Sequence, residues 1–336
     1  MKIKSFSLII LLCGVISGIC HTFNRAAHQV MGFIGSGQPP SQGSVTYRLL
    51  IKLINSENAD TMLKNAEFMA KFSSVLRYAF ICLALVFLAM FIILRGKKTS
   101  TGKEKSYKGS LPFFGVGLLT ALSMITFSIT SAFTYAYKYK NNEVFFFSED
   151  LKNNIKSHDW LFIAMLATAF VSALILIYSS IRLYKGYSLK RLEEIALVIP
   201  SIWMILLIMD IFMKLTRISS LNQYYFDLFM LLSAMVFLFS FANNVVGRIQ
   251  KYVFLISAPL LLLFGMDSAL PGILLLTPTN QYSNIFVYGT PMTAHVLFAT
   301  LSLFAFFSFR IVCKKQSNET DAEEDINSED YLKPLV

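Results

Sequence analysis

Asp210, Lys214 and Arg217 stand four and three residues apart within the apolar stretch 193–217, EEIALVIPSIWMILLIMDIFMKLTR. On a helix those spacings place an acid and two bases on one face, which also runs back through Trp203. Such a stripe can neutralise itself through Asp210 and Lys214. Alternatively, Lys214 and Arg217 can hold an anionic group while the acid holds a proton or a cation. Three further ionisable residues lie in apolar surroundings: Asp227, Asp267 and His295. These six form the candidate ligand or ion site. Asp267 has no base within a helical turn on its own helix, so it resists explanation as a local pair. His295 reads as a hydrogen-bonded packing residue that Asp267, on the preceding helix, could orient.

Other chemistry finds no foothold. HExxH, GxSxG, a P-loop and a strand-linked GxGxxG are all missing, so no catalytic residue, metal site or cofactor is expected. Gly265-Met-Asp267 has the spacing of half an intramembrane aspartyl protease site. The second glycine and the Tyr-Asp partner are missing, since Asp227 follows Phe226. The four cysteines, Cys13, Cys20, Cys82 and Cys313, form no CxxC and read as packing residues.

The elements that carry these residues must cross a membrane. The chain is 55% hydrophobic and 15% charged, with mean hydropathy +0.58, more apolar and less charged than a soluble domain. Its apolar residues come in blocks of about 18 to 25, long enough to cross about 30 Å of hydrocarbon at 1.5 Å per residue. The expected fold is an all-α polytopic bundle of eight helices. The spans are 6–20, 74–94, 111–137, 160–181, 193–217, 225–246, 252–276 and 287–312, or seven of these if the first is a cleaved signal. The alternating ten-residue segments of a barrel do not occur.

Charge sets the expected orientation. The net charge is +10, although seven of the twenty acids lie beyond residue 316. The bases cluster at helix ends. Six of them fall in 95–108, and others follow at Arg182, Lys185, Lys190 and Arg191, and at Arg310, Lys314 and Lys315. The loop 277–289 holds none. The positive-inside rule then puts both termini in the cytoplasm. It also accounts for the basic excess without nucleic acid, which is not an expected partner. Residues 1–315 form the membrane bundle and 316–336 an acidic, disordered tail.

Several segments carry secondary expectations. Gly14-x-x-x-Gly18, with Ser17, would let another helix approach the first span closely. Residues 24–73 read as an extracytoplasmic segment with a turn-rich linker at 35–43 and a basic, apolar patch at 47–54. Asn58 or Asp60 caps a helix that runs on into the second span. Val144 to Phe147 would either dip into the headgroups or pack as a plug over the bundle, and Asn243 and Asn244 would join helices by hydrogen bonds. In the expected orientation Asp210, Lys214, Arg217, Asp227, Asp267 and His295 gather towards the outer side. Arg77 and Asp159 lie at the outer ends of helices two and four.

Two functional readings follow. One is a membrane-embedded binding, sensing or assembly component that engages another membrane protein through helix faces, with the lipid bilayer as its solvent. The other is a small-solute or ion permease with an outward-facing polar pocket between helices five and eight. An internal repeat with matched helix breaks would favour the permease, and helices one to four hold almost no midplane charge to match the later half. Pro200-Ser-Ile-Trp203, Asp210-Ile-Phe-Met213 and Phe241-Ala-Asn-Asn244 before Gly247-Arg248 resemble a group of uncharacterised multi-pass membrane proteins of low-GC Gram-positive bacteria. That resemblance covers helices five to seven. It implies a bacterial plasma membrane and no activity.

Overall fold

The structure is a computed structural model. It describes residues 3–36, 59–95, 109–140, 149–187, 191–215, 225–245, 251–275 and 293–311. The tail, the linker at 35–43 beyond Ser36, the patch at 47–54, Val144 to Phe147, the loop 277–289, Arg217 and Cys313 lie outside the described residues. Within them every regular element is a helix: α1 Ile3–Ser36, α2 Ala59–Arg95, α3 Leu111–Lys140, α4 Glu149–Lys185, α5 Arg191–Ala196, α6 Ile199–Leu215, α7 Tyr225–Val245, α8 Lys251–Leu275 and α9 Thr293–Ile311. Eight stretches are long and apolar enough to cross a membrane. The chain is an all-α, multi-pass integral membrane protein.

The fifth span departs from one continuous helix. Pro200 has no N–H to offer the carbonyl four residues back, and the helix gives way at Leu197 and Val198 to a turn. The Val198 carbonyl then accepts from the N–H groups of Ser201 and Ile202 and starts α6. Trp203 and Asp210 remain on one face, and both are buried. At the end of α4, Gly186 takes φ 73°. Its N–H bonds the Leu183 carbonyl while Tyr187 bonds that of Arg182, a left-handed cap that turns the chain back towards α5.

Around the bundle α2 packs on α1, α1 on α8, α8 on α7, α7 on α6, α6 on α4 and α4 on α3. The last helix, α9, bridges the two halves. Phe304 meets Phe113 of α3 and Phe237 and Phe241 of α7. Phe309 meets Phe6 of α1, Phe91 of α2 and Phe254 of α8. Phe6 and Phe91 stack with centroids 3.9 Å apart and clamp the starting end of α1 to the finishing end of α2. α8 is the central helix, with 78% of its span buried, whereas α2 is peripheral at 28%.

Small residues let α1 reach α8. A Cβ at Gly14 would lie 3.1 Å from the Leu262 carbonyl oxygen, and one at Gly18 only 2.6 Å from that of Met266. The Gly14-x-x-x-Gly18 pair is therefore a helix-contact motif, as its spacing predicts. The polar segment beyond Asn24 also differs from expectation. Its first part is helix, because α1 continues to Ser36 against the start of α2. Ala26, Ala27, Val30, Ala66 and Ala70 form a separate small core there, with Phe23, Met31, Met62 and Met69 around it. At 1.5 Å per residue, α1 with 34 residues and α2 with 37 are about 51 and 56 Å long, well beyond about 30 Å of hydrocarbon. The two helices form a hairpin with its own core.

Candidate functional site

Asp267 lies near the end of α8 with no exposed surface. A carboxylate in that position needs a partner, since an isolated buried charge is costly. The partner is Arg77, from α2. Its Nε donates to Oδ1 at 3.0 Å and its Nη2 to Oδ2 at 2.5 Å, the two-pronged contact that suits a guanidinium. Ser17 of α1 donates to Oδ1 at 2.6 Å. The guanidinium carbon of Arg77 also lies 4.3 Å from the centre of the Phe226 ring on α7. Asp267 is thus paired, contrary to its reading from sequence, and the base comes from 190 residues away.

The proline four residues after Asp267 explains the next contact. Pro271 cannot donate to the Asp267 carbonyl, and His21 Nδ1 sits 3.0 Å from that oxygen. On its other side Arg25 Nε donates to His21 Nε2 at 3.0 Å. Since Arg25 can only donate, Nε2 accepts and the proton is on Nδ1. His21 is therefore a neutral ring that plugs an orphaned carbonyl, with Nδ1 also 3.7 Å from Asp267 Oδ2. Ser17, His21 and Arg25 follow at four-residue intervals on one face of α1.

Beside this group, Ser268 Oγ donates to Asp227 Oδ1 of α7. The Ser268 backbone bonds His295 of α9. The imidazole lies over Gly272, where a Cβ would fall 1.7 Å from a ring carbon. His295 is thus set by Ser268 and Gly272, and the histidine that meets Asp267 is His21. Arg25 and Arg77 both act electrostatically on Asp227. Two guanidinium groups and two carboxylates meet at the junction of α1, α2, α7, α8 and α9.

Of the residues singled out from sequence, Asp227, Asp267 and His295 are brought together. Asp210 is buried on α6, which packs on α4 and α7. Lys214 is near the end of α6, and its side chain lies outside the described residues. Among the described residues Asn244 bonds the Ser240 carbonyl of its own helix at 2.7 Å. Cys13 and Cys20 are buried as expected, whereas Cys82 is exposed. Four residues were missed as site members: Ser17, His21, Arg25 and Arg77. The four-residue spacing that picked out Asp210 and Lys214 applies equally to Ser17, His21 and Arg25.

The arrangement limits the chemistry. A catalytic aspartate pair shares one proton between adjacent carboxylates, but Asp267 is occupied by an arginine and Asp227 by a serine on the next residue. Acid–base work by Asp267 would require release of Arg77. Among the described residues no group of three His, Cys, Asp or Glu could hold a metal. The network is built as a lock between helices.

The plug can be tested by a mutant cycle. His21→Ala is expected to cost about 1–2 kcal/mol, because it leaves the Asp267 carbonyl without a donor. In a Pro271→Ala background the new N–H can serve that carbonyl, so the same change should cost less than half as much. Equal losses in both backgrounds, read from thermal unfolding in detergent, would refute the role of the orphaned carbonyl.

No family model, curated protein or solved structure matches this chain.

Proposed function

We propose that this protein is a membrane-embedded assembly component, of the binding, sensing or assembly class, which engages another membrane protein through helix faces in a bacterial plasma membrane. The observation that carries this reading is the complete internal use of the Asp267 charge. Arg77, Ser17 and His21 come from α1 and α2 and tie that hairpin to α8. Ion-coupled transport needs a carboxylate open to its ion, whereas both oxygens of Asp267 are taken by Arg77 and one also by Ser17. A network of this kind suits a rigid platform that presents a hairpin at one end of the bundle. By the distribution of basic loops, that end faces outward.

Two measurements separate this reading from a permease. Purified protein in liposomes should pass protons, sodium, potassium and chloride no faster than empty liposomes. Photocrosslinkers placed on the exposed faces of α2 in native membranes should yield discrete protein adducts. Saturable flux that is abolished by Asp267→Asn, with no adducts, would establish the permease instead.

A further inference from the structure

Helix α2 has two faces with different demands. Its inner face, through Ala66, Ala70, Ser73, Arg77, Ile81 and Ala84, packs into the bundle. Its outer face carries Phe68, Phe72, Val75, Ala79, Cys82 and Val86, all exposed, at alternating spacings of four and three residues. The same spacing continues through Ala89 to Ile93. That is the a/d pattern of a helix meeting another helix in a left-handed pair.

Between Ser74 and Leu94 hydrocarbon alone would account for apolar side chains facing outward. The part of the stripe before Ser74 needs another cause. Those 21 residues already span about 30 Å, so Phe68 and Phe72 stand beyond the hydrocarbon among Lys64, Glu67 and Lys71. Even so, they are 66% and 50% exposed and stack on one another with centroids 6.0 Å apart. The neighbouring charges do not point into the stripe in search of a partner, because Lys71 bonds Glu67 at 2.7 Å one turn back. One step earlier in the same register stands Asn65, exposed and at an a position. A single asparagine at an a position is the device that fixes two helices in parallel and in register.

We propose that the protein self-associates as a parallel pair through the outer face of α2, with Asn65, Phe68, Phe72, Val75, Ala79 and Cys82 along the seam. Parallel pairing is what a second copy offers, since two copies in one membrane share an orientation and a two-fold axis along its normal puts equal residues at equal depth. Asn65 then meets Asn65 of the second copy, and the aromatic pair is covered by its own counterpart. Small side chains at Ala79 and Cys82 let the helix axes come close within the bilayer. The inference deepens the assembly reading by naming the partner as the chain itself.

The test uses the full chain in native membranes, with Cys82 and Cys313 changed to serine and the buried Cys13 and Cys20 left in place. Single cysteines are introduced in turn at positions 64 to 72 and oxidised. Asn65→Cys, Phe68→Cys and Phe72→Cys should give an adduct of twice the chain mass, at least fivefold above Glu67→Cys. Adding Phe68→Glu to the Asn65→Cys chain should lower that yield at least fivefold while leaving the protein monodisperse. Uniform yields along the helix, or monomer throughout, overturn self-association. Periodic adducts of a different mass overturn it too, but leave the assembly reading standing, whereas monomer with no adduct of any mass removes both.

Discussion

Replacing Arg77 with alanine is expected to destabilise the protein by about 3–5 kcal/mol, the usual result of removing one partner from a buried ion pair. Asp267 has no exposed surface, and with Arg77 gone it retains Ser17 and loses two charge-assisted hydrogen bonds. The loss is not the strength of the pair. Most of it is the cost of a carboxylate left without its cation, so the two partners should behave non-additively. Asp267→Leu alone strands a guanidinium, relieved only partly by the Phe226 ring and by nearby Asp227. The double replacement Arg77→Met with Asp267→Leu removes both charges and retains volume. It should come within about 2 kcal/mol of the native protein, as apolar replacements of buried pairs do. Thermal unfolding in detergent, followed by the emission of the two tryptophans, of which Trp203 is fully buried, reads all four corners of the cycle. Additive losses would show that Arg77 and Asp267 act independently and would remove the lock from the structure. Arg77→Lys tests the geometry, because an ammonium supplies charge without the fork and should restore only part of the loss.

What could be read from the sequence follows the range of each physical signal. Apolar length is a local property, and it located all eight spans. Spacing within one helix is also local, so it put Trp203 and Asp210 on one face, which the structure buries, and Gly14 and Gly18 on a contact face. Asp267 shows where local reading stops. No base stands within a helical turn of it on its own helix, yet the base exists at Arg77, on a helix separated from α8 by five others in the chain. Pairing across the bundle depends on α1 and α2 folding against α8, which no periodicity in a single segment reveals. Pro271 sits inside a continuous α8, and its missing N–H matters only through the carbonyl it orphans, which His21 reaches from the far end of the sequence. The polar character of residues 24–36 misled for a related reason. Residues that avoid lipid can still be helical when a neighbour such as Ala66 or Ala70 offers a close-packed face beyond the hydrocarbon.

Gly18→Leu should cost about 3 kcal/mol, at the upper end of overpacking penalties, because the obstacle is backbone. The Cβ alone would stand 2.6 Å from the Met266 carbonyl oxygen and 2.7 Å from Leu270 Cδ1. The leucine can swing aside, but the carbonyl cannot move unless α8 moves, so α1 must tilt away. The displacement falls one residue from Ser17 and three from His21. It should therefore open both contacts to Asp267 as well as the helix seam, and the change should also make Cys20, buried in the native fold, react with a membrane-permeant thiol reagent. Gly115→Ala supplies the control, since nothing lies within 4 Å of its added Cβ. There alanine only improves helix propensity, by up to about 1 kcal/mol, and should leave Cys20 protected. If Gly18→Leu unfolds like the native protein and keeps Cys20 shielded, α1 is not held against α8 at this depth and the ion network loses the helix that supplies Ser17, His21 and Arg25. If stability falls while Cys20 stays shielded, the cost is local strain in an intact seam. Concurrent loss of both is the outcome that ties the small-residue contact to the burial of Asp267: the glycines bring the helix close, and closeness puts the serine and the histidine within reach of the acid.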